Sequence, residues 1–127
     1  MSKAVAISLA DAFAKLTFCG DRTPGSTDMD AAFCTLSAYR DGGVFLAHYA
    51  GNSEWERHPQ GDELVFVVEG ETNLVLLQDG QENPNLLRSG ELLIVPKDTW
   101  HRFESPRAVK ILTVTPQPTD HSVERPR

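Results

Sequence analysis

The sequence predicts an all-β domain, a sandwich or barrel of short strands. From Ala31 onward, β-type runs are separated by turn formers at intervals of about ten residues. The runs are too short and too closely spaced for the crossover helices of βαβ units. With 127 residues the chain is one domain with one core, burying roughly two-thirds of the surface it exposes when unfolded.

Ahead of the strands, Ser8 followed three residues later by Asp11 is a helix-start pattern, and Leu9, Ala12, Phe13 and Leu16 repeat at helical spacing. A short helix packed outside the main body is expected there. Residues 20–30, GDRTPGSTDMD, are turn formers and acids and read as a loop. AFCTLSAYR then runs into Asp41-Gly42-Gly43, a hairpin signal, and VFLAHYA follows. ELVFVVEG and TNLVLLQ flank Gly70, and Asp79-Gly80 closes the second. NLLRSG, ELLIVP, TWHRFES and AVKILTVT complete eight or nine strands. After Thr115, PQPTDHSVERPR has three prolines and one aliphatic residue, too little to build a packed element. The expected organisation is an N-terminal helix and loop over 1–30, a barrel over 31–115 and a flexible tail over 116–127.

Composition excludes several functions. Twelve Lys and Arg against eighteen Asp and Glu give a net charge of −6, which argues against nucleic acid and anionic membrane as partners. No stretch reaches the length of a membrane span. The apolar run from Ala4 to Ala10 is at the short limit for a signal peptide, and Asp11 and Lys15 interrupt it, so the expected location is the cytoplasm. Cys19 and Cys34 are too few for a disulfide scaffold and read as reduced thiols used as small apolar residues.

The informative stretch runs from Gly51 to Gly70. Glu56 and His58 are two apart, so in an extended strand they point the same way, about 6.6 Å along the chain. Glu63 opens the next strand after a Pro59–Asp62 turn that folds it back beside them. Further on, Gly90 to Phe103 holds a strand, a tight turn at Pro96–Asp98 and His101. Phe103 shares the face of His101, whereas Trp55 and Trp100 neighbour Glu56 and His101 and point away from them. His48 and Tyr49 are adjacent in one strand, so one of the two faces inward. His121 lies in the tail and reads as exposed.

These residues resemble the two motifs of the cupin family, G-x5-H-x-H-x3–4-E-x6-G and G-x5-P-x-G-x2-H-x3-N. His58 takes the place of the second histidine of the first motif, followed by x4 to Glu63 and x6 to Gly70. In the second, Gly90, Pro96 and His101 keep the family spacing. The departures are Glu56 for the first histidine, Asp98 for a turn glycine and Ser105 for the final asparagine. Gly51 also lies one residue closer to the first ligand position. The resemblance implies a cupin-type jelly-roll barrel of two packed antiparallel sheets with a short N-terminal helix. It also implies a metal site carried over onto Glu56, His58, Glu63 and His101.

Two imidazoles and two carboxylates suit a divalent Fe, Mn, Zn or Ni ion. His58, Glu63 and His101 alone would make a two-histidine, one-carboxylate set, with Glu56 as a nearby general base. Two opposed carboxylates without a cation should raise at least one pKa. The expected protein is a metal-dependent enzyme of dioxygenase, isomerase or lyase type acting on a small organic molecule. Two other readings stay open. One is a non-catalytic sugar or metabolite binder with a degenerate metal site, Glu56 marking the lost metal affinity; separately, Glu54, Glu56 and Arg57 can be read as a solvated loop with His58 alone facing inward. The other is a metal-free isomerase using a histidine and a carboxylate as acid–base pair. Leu64, Phe66 and Val68 make the second face of the Glu63 strand apolar, so it needs a cover, either the N-terminal segment or a second subunit, and the resemblance implies a homodimer.

Overall fold

The computed structural model describes residues 4–127; the first three residues of the expected N-terminal unit lie outside it. One helix, α1 (Leu9–Ala14), precedes ten strands: β1 (Cys19–Arg22), β2 (Phe33–Tyr39), β3 (Gly42–Asn52), β4 (Trp55–Arg57), β5 (Glu63–Glu69), β6 (Glu71–Gln78), β7 (Gln81–Arg88), β8 (Leu92–Val95), β9 (His101–Pro116) and β10 (Asp120–Ser122). The Ser8 side chain caps α1 by accepting from the Asp11 backbone N–H at 3.2 Å. Phe13 is the helix's buried residue, and its ring lies 5.7 Å from the Lys110 ammonium.

The strands form a jelly-roll barrel built around β9. The second half of β9 pairs with β3 and β5, and β2 and β8 extend this layer at its two ends. The first half pairs with β6 and β4, with β7 and β10 outside them. The strand changes layer between Ser105 and Val109, where three residues oppose a single residue of β3. TWHRFES and AVKILTVT, expected as two strands, are therefore one strand interrupted by a bulge containing the exposed Pro106. Val65, Val67, Val109, Ile111, Leu74, Leu76 and Phe103 fill the space between the layers. Full burial of each aliphatic side chain contributes about 1.5–3 kcal/mol.

Four further expectations are corrected. The 20–30 loop is in part a strand: β1 pairs parallel with β3, aligning Cys19 with Tyr49 and Arg22 with Gly51. That parallel pair also departs from the all-antiparallel layers expected. Gly51 makes the pairing possible, since its φ is +116° and a Cβ there would lie 2.2 Å from the Arg22 carbonyl oxygen. The β2–β3 turn falls on Arg40 and Asp41 rather than on the glycines, with Arg40 at φ 51°. Gly42 instead lets β3 approach β9, because a Cβ would overlap the Thr115 carbonyl oxygen. Finally, part of the tail expected to be flexible is built into the sheet. β10 pairs with β4, and Arg57 donates to the Asp120 carboxylate at 2.8 Å. Polar cross-strand pairing of this kind leaves no hydrophobic pattern in the sequence.

Candidate metal centre

The site forms where the two layers open at one end. His101 begins β9, Glu63 begins β5, and His58 follows β4. The Pro96–Asp98 turn brings β8 back toward β9. Asp98 adopts φ 65°, a left-handed conformation that Asp tolerates better than most residues, and its N–H donates to the His58 carbonyl at 3.0 Å. The turn thereby fastens the His58 and His101 segments to each other.

His58, Glu63 and His101 are all buried, and ligand atoms from the three lie within 4.8 Å of one another. His58 Nε2 is 3.3 Å from one Glu63 oxygen and His101 Nε2 is 3.0 Å from the other. Neither contact has hydrogen-bond geometry, so both Nε2 atoms and Glu63 Oε1 are buried without a hydrogen-bond partner. The other ring nitrogens are satisfied. His101 Nδ1 lies 2.9 Å from the Thr99 carbonyl, which can only accept, so Nδ1 carries the proton. His58 Nδ1 lies 3.0 Å from the Thr119 hydroxyl, which donates its own proton to Gln117. Both imidazoles thus turn Nε2 toward the carboxylate, a nitrogen that is free to ligate in the neutral ring and carries a proton in the charged one. Thr115 donates to Glu63 Oε2 and orients it.

This arrangement fits a divalent ion. Donors bound at about 2.1 Å sit about 3.0–3.4 Å apart around one metal, the range of the two Nε2–oxygen contacts. Nδ1–H bonds to a carbonyl and a hydroxyl are the usual outer partners of metal-bound histidines. The His58–Glu63–His101 group can hold a metal ion.

Glu56 sits apart from that group. In β4 it pairs across the strand with His101, and its side chain lines the cavity. Burial, and next the Glu63 charge, push its pKa up. Burial also works to raise Glu63, but the two imidazoles outweigh it and hold that carboxyl down at about 2. Burial lowers His101, yet Glu63 and then Glu56 leave its pKa raised. Two carboxyl groups in one pocket therefore have opposite tendencies, Glu63 ionised and Glu56 toward the protonated form.

The cavity has a volume of about 570 Å³, within the range of small-molecule sites. Tyr49 faces it, while His48 faces outward against the Phe18 ring at a centroid distance of 4.9 Å. Phe103 forms a wall, 6.1 Å from the His101 ring. Trp55 and Trp100 stack instead with Arg102 and Arg57. His121 is exposed and bonded to Glu54 at 2.6 Å. Sequence reasoning missed Arg22, Thr115 and Thr119. Thr115 had a signal, because Ile111, Thr113 and Thr115 alternate onto one face; the other two lie in segments without periodicity.

The sequence profile of the cupin domain matches residues 44–115, more than half of the chain. The chain belongs to the cupin family. Among curated relatives, the uncharacterized protein YdbB of Bacillus subtilis is 35% identical over 71 residues, which are 56% of this cupin and 60% of YdbB. Polyketide synthase CurC of Streptomyces cyaneus is 34% identical over 83 residues, 65% of this chain and 46% of CurC. This cupin thus spans between about half and three-fifths of those relatives. A cupin-2 domain protein of Shewanella frigidimarina shares the fold with a TM-score of 0.66 and 22% identity, covering 87% of this chain and 94% of that one. Hydroquinone 1,2-dioxygenase PnpCD, in complex with Cd2+ and 4-hydroxybenzonitrile, has a TM-score of 0.59 and 21% identity, covering 74% and 68%.

Proposed function

We propose that this cupin is a small metal-dependent enzyme, of dioxygenase, isomerase or lyase type, acting on a small organic molecule. His58, Glu63 and His101 hold a divalent Fe, Mn, Zn or Ni ion. The observation that carries this reading is the convergence of two Nε2 atoms and a carboxylate, all buried, beside a cavity of about 570 Å³. A cation bound there supplies Lewis-acid polarisation of a substrate oxygen and open coordination positions. Glu56 is the group that takes or gives a proton in the cavity, since burial and the Glu63 charge raise its pKa and favour its protonated form. Thr99 and Thr119 hold the imidazoles in the ligating tautomer, and Phe103 and Tyr49 wall the cavity.

Metal content of the purified protein tests this directly. Wild type is expected to carry stoichiometric metal, His58→Ala and His101→Ala to lose it, and Glu56→Gln to keep it. A wild type that is metal-free and cannot be reconstituted overturns the reading. The raised His101 beside the ionised Glu63 favours a second one, a metal-free acid–base isomerase, which that outcome would select.

We also propose that the protein is a cytoplasmic homodimer. Tyr39, Leu92 and Ile94 are 48%, 55% and 46% exposed on the outer face that also carries Leu64 and Val114. A contiguous apolar sheet face of this kind is ordinarily covered. Among the described residues no helix is long and apolar enough to cross a membrane.

A further inference from the structure

Arg22, the last residue of β1, lines the same cavity as Glu56, His58 and Glu63. Its guanidinium carbon lies 4.6 Å from the Tyr49 ring centroid and 5.0 Å from that of Phe33. Those two rings are 6.0 Å apart and within 20° of parallel, so they form a platform. Among the described residues no Asp or Glu forms an ion pair with Arg22, Glu56 included. Burial raises the pKa of the Tyr49 hydroxyl and Arg22 works against it, whereas Arg57, Arg102 and Arg125 all pair with carboxylates. Stacking occupies the flat face of a guanidinium and leaves its in-plane donors free, and two parallel N–H bonds from one edge match a carboxylate. A half-buried guanidinium with no carboxylate paired to it has its charge and in-plane donors available to a bound anion.

We propose that Arg22 is the specificity residue of the cavity and that the substrate is a small carboxylic acid. Its carboxylate binds Arg22, and its apolar body, a ring or short chain, lies along Met29, Phe33 and Phe103 toward His58 and Glu63. The aromatic platform fixes the guanidinium plane and so the direction of the bound acid. This rests on the cavity being the substrate site, and its test separates the carboxylate contact from the metal.

Calorimetric titration with benzoate and phenylacetate, against the neutral isosteres benzamide and phenylacetamide, makes that test. The wild type should bind the acids about 10–100-fold more tightly than the amides. Arg22→Met should bring the acids to the level of the amides while metal content is unchanged. Arg22→Lys, which keeps the charge but not the paired donors, should fall between. Should Arg22→Met fail to fold, judged by thermal unfolding, Arg22→Gln carries the same comparison. His101→Ala should keep the acid preference even where it has lost the metal. Undetectable acid binding, equal affinity for acid and amide, or a preference that survives Arg22→Met overturns the proposal. A preference that disappears in His101→Ala but not in Arg22→Met also overturns it, since the carboxylate would then be a metal ligand.

Discussion

At the scale of single residues, the site depends on which proton sits on which nitrogen. Thr119 matters because its hydroxyl accepts a hydrogen bond from His58 Nδ1–H, leaving Nε2 to face Glu63. Thr119→Val keeps the side-chain shape and removes the acceptor. Metal affinity, measured by chelator competition, is expected to fall by about 10–100-fold with the fold unchanged. His48 provides a control away from the site. Burial, then Lys110, lowers its pKa, and Glu69 opposes them in part. A histidine with a folded pKa below its unfolded one binds protons more readily when unfolded, so it destabilises the protein as pH falls below about 6.5. The difference in Tm between wild type and His48→Gln should therefore move against the wild type from pH 7.5 to pH 5. An unchanged difference would contradict the inferred burial.

At the scale of elements, β1 and β10 are short strands that carry cavity residues and rest on few contacts. β1 pairs with β3 at two residue positions, and Gly51 is what lets it approach. Gly51→Ala would place a methyl group against the Arg22 backbone in a conformation unfavourable to any L side chain. The expected loss is about 1–3 kcal/mol of stability by denaturant unfolding, together with weaker benzoate binding as Arg22 shifts. A variant with wild-type stability would show that β1 is displaced without cost. β10 depends on polar contacts, Arg57 with Asp120 and His121 with Glu54, and it positions Thr119 just ahead of it.

At the scale of the whole molecule, the barrel has two unlike surfaces. The inner one closes over the cavity, and the outer face around Leu64, Ile94 and Val114 is apolar and partly exposed. Ile94→Glu places a charge at its centre, opposite Leu64 in the β5–β8 pair. Sedimentation should show wild-type dimers becoming monomers, with metal content kept. A wild type that sediments as a monomer would remove the proposed dimer. Bringing His58, Glu63 and His101 together also joins both layers at one end, so bound metal should raise Tm, and chelation should lower it, through ligand linkage to the folded state.

The sequence alone determined a sandwich or barrel of short strands, because alternating apolar runs and turn formers dictate strands whatever their partners, and the resemblance of its motifs narrowed that to a jelly roll. Its resemblance to the cupin motifs also pointed to Glu56, His58, Glu63 and His101, of which the fold brings the last three together. Tertiary structure decided what periodicity does not encode. β1 pairs parallel through a contact made by one glycine, and β10 docks through charged and polar groups that look like a solvated tail. Whether Glu56 joins the ligand group or stands beside it depends on the relative placement of β4 and β5. Which of His48 and Tyr49 faces inward depends on the register of β3 against β9. Arg22 became legible only once two rings, distant in sequence from each other, were stacked beneath it.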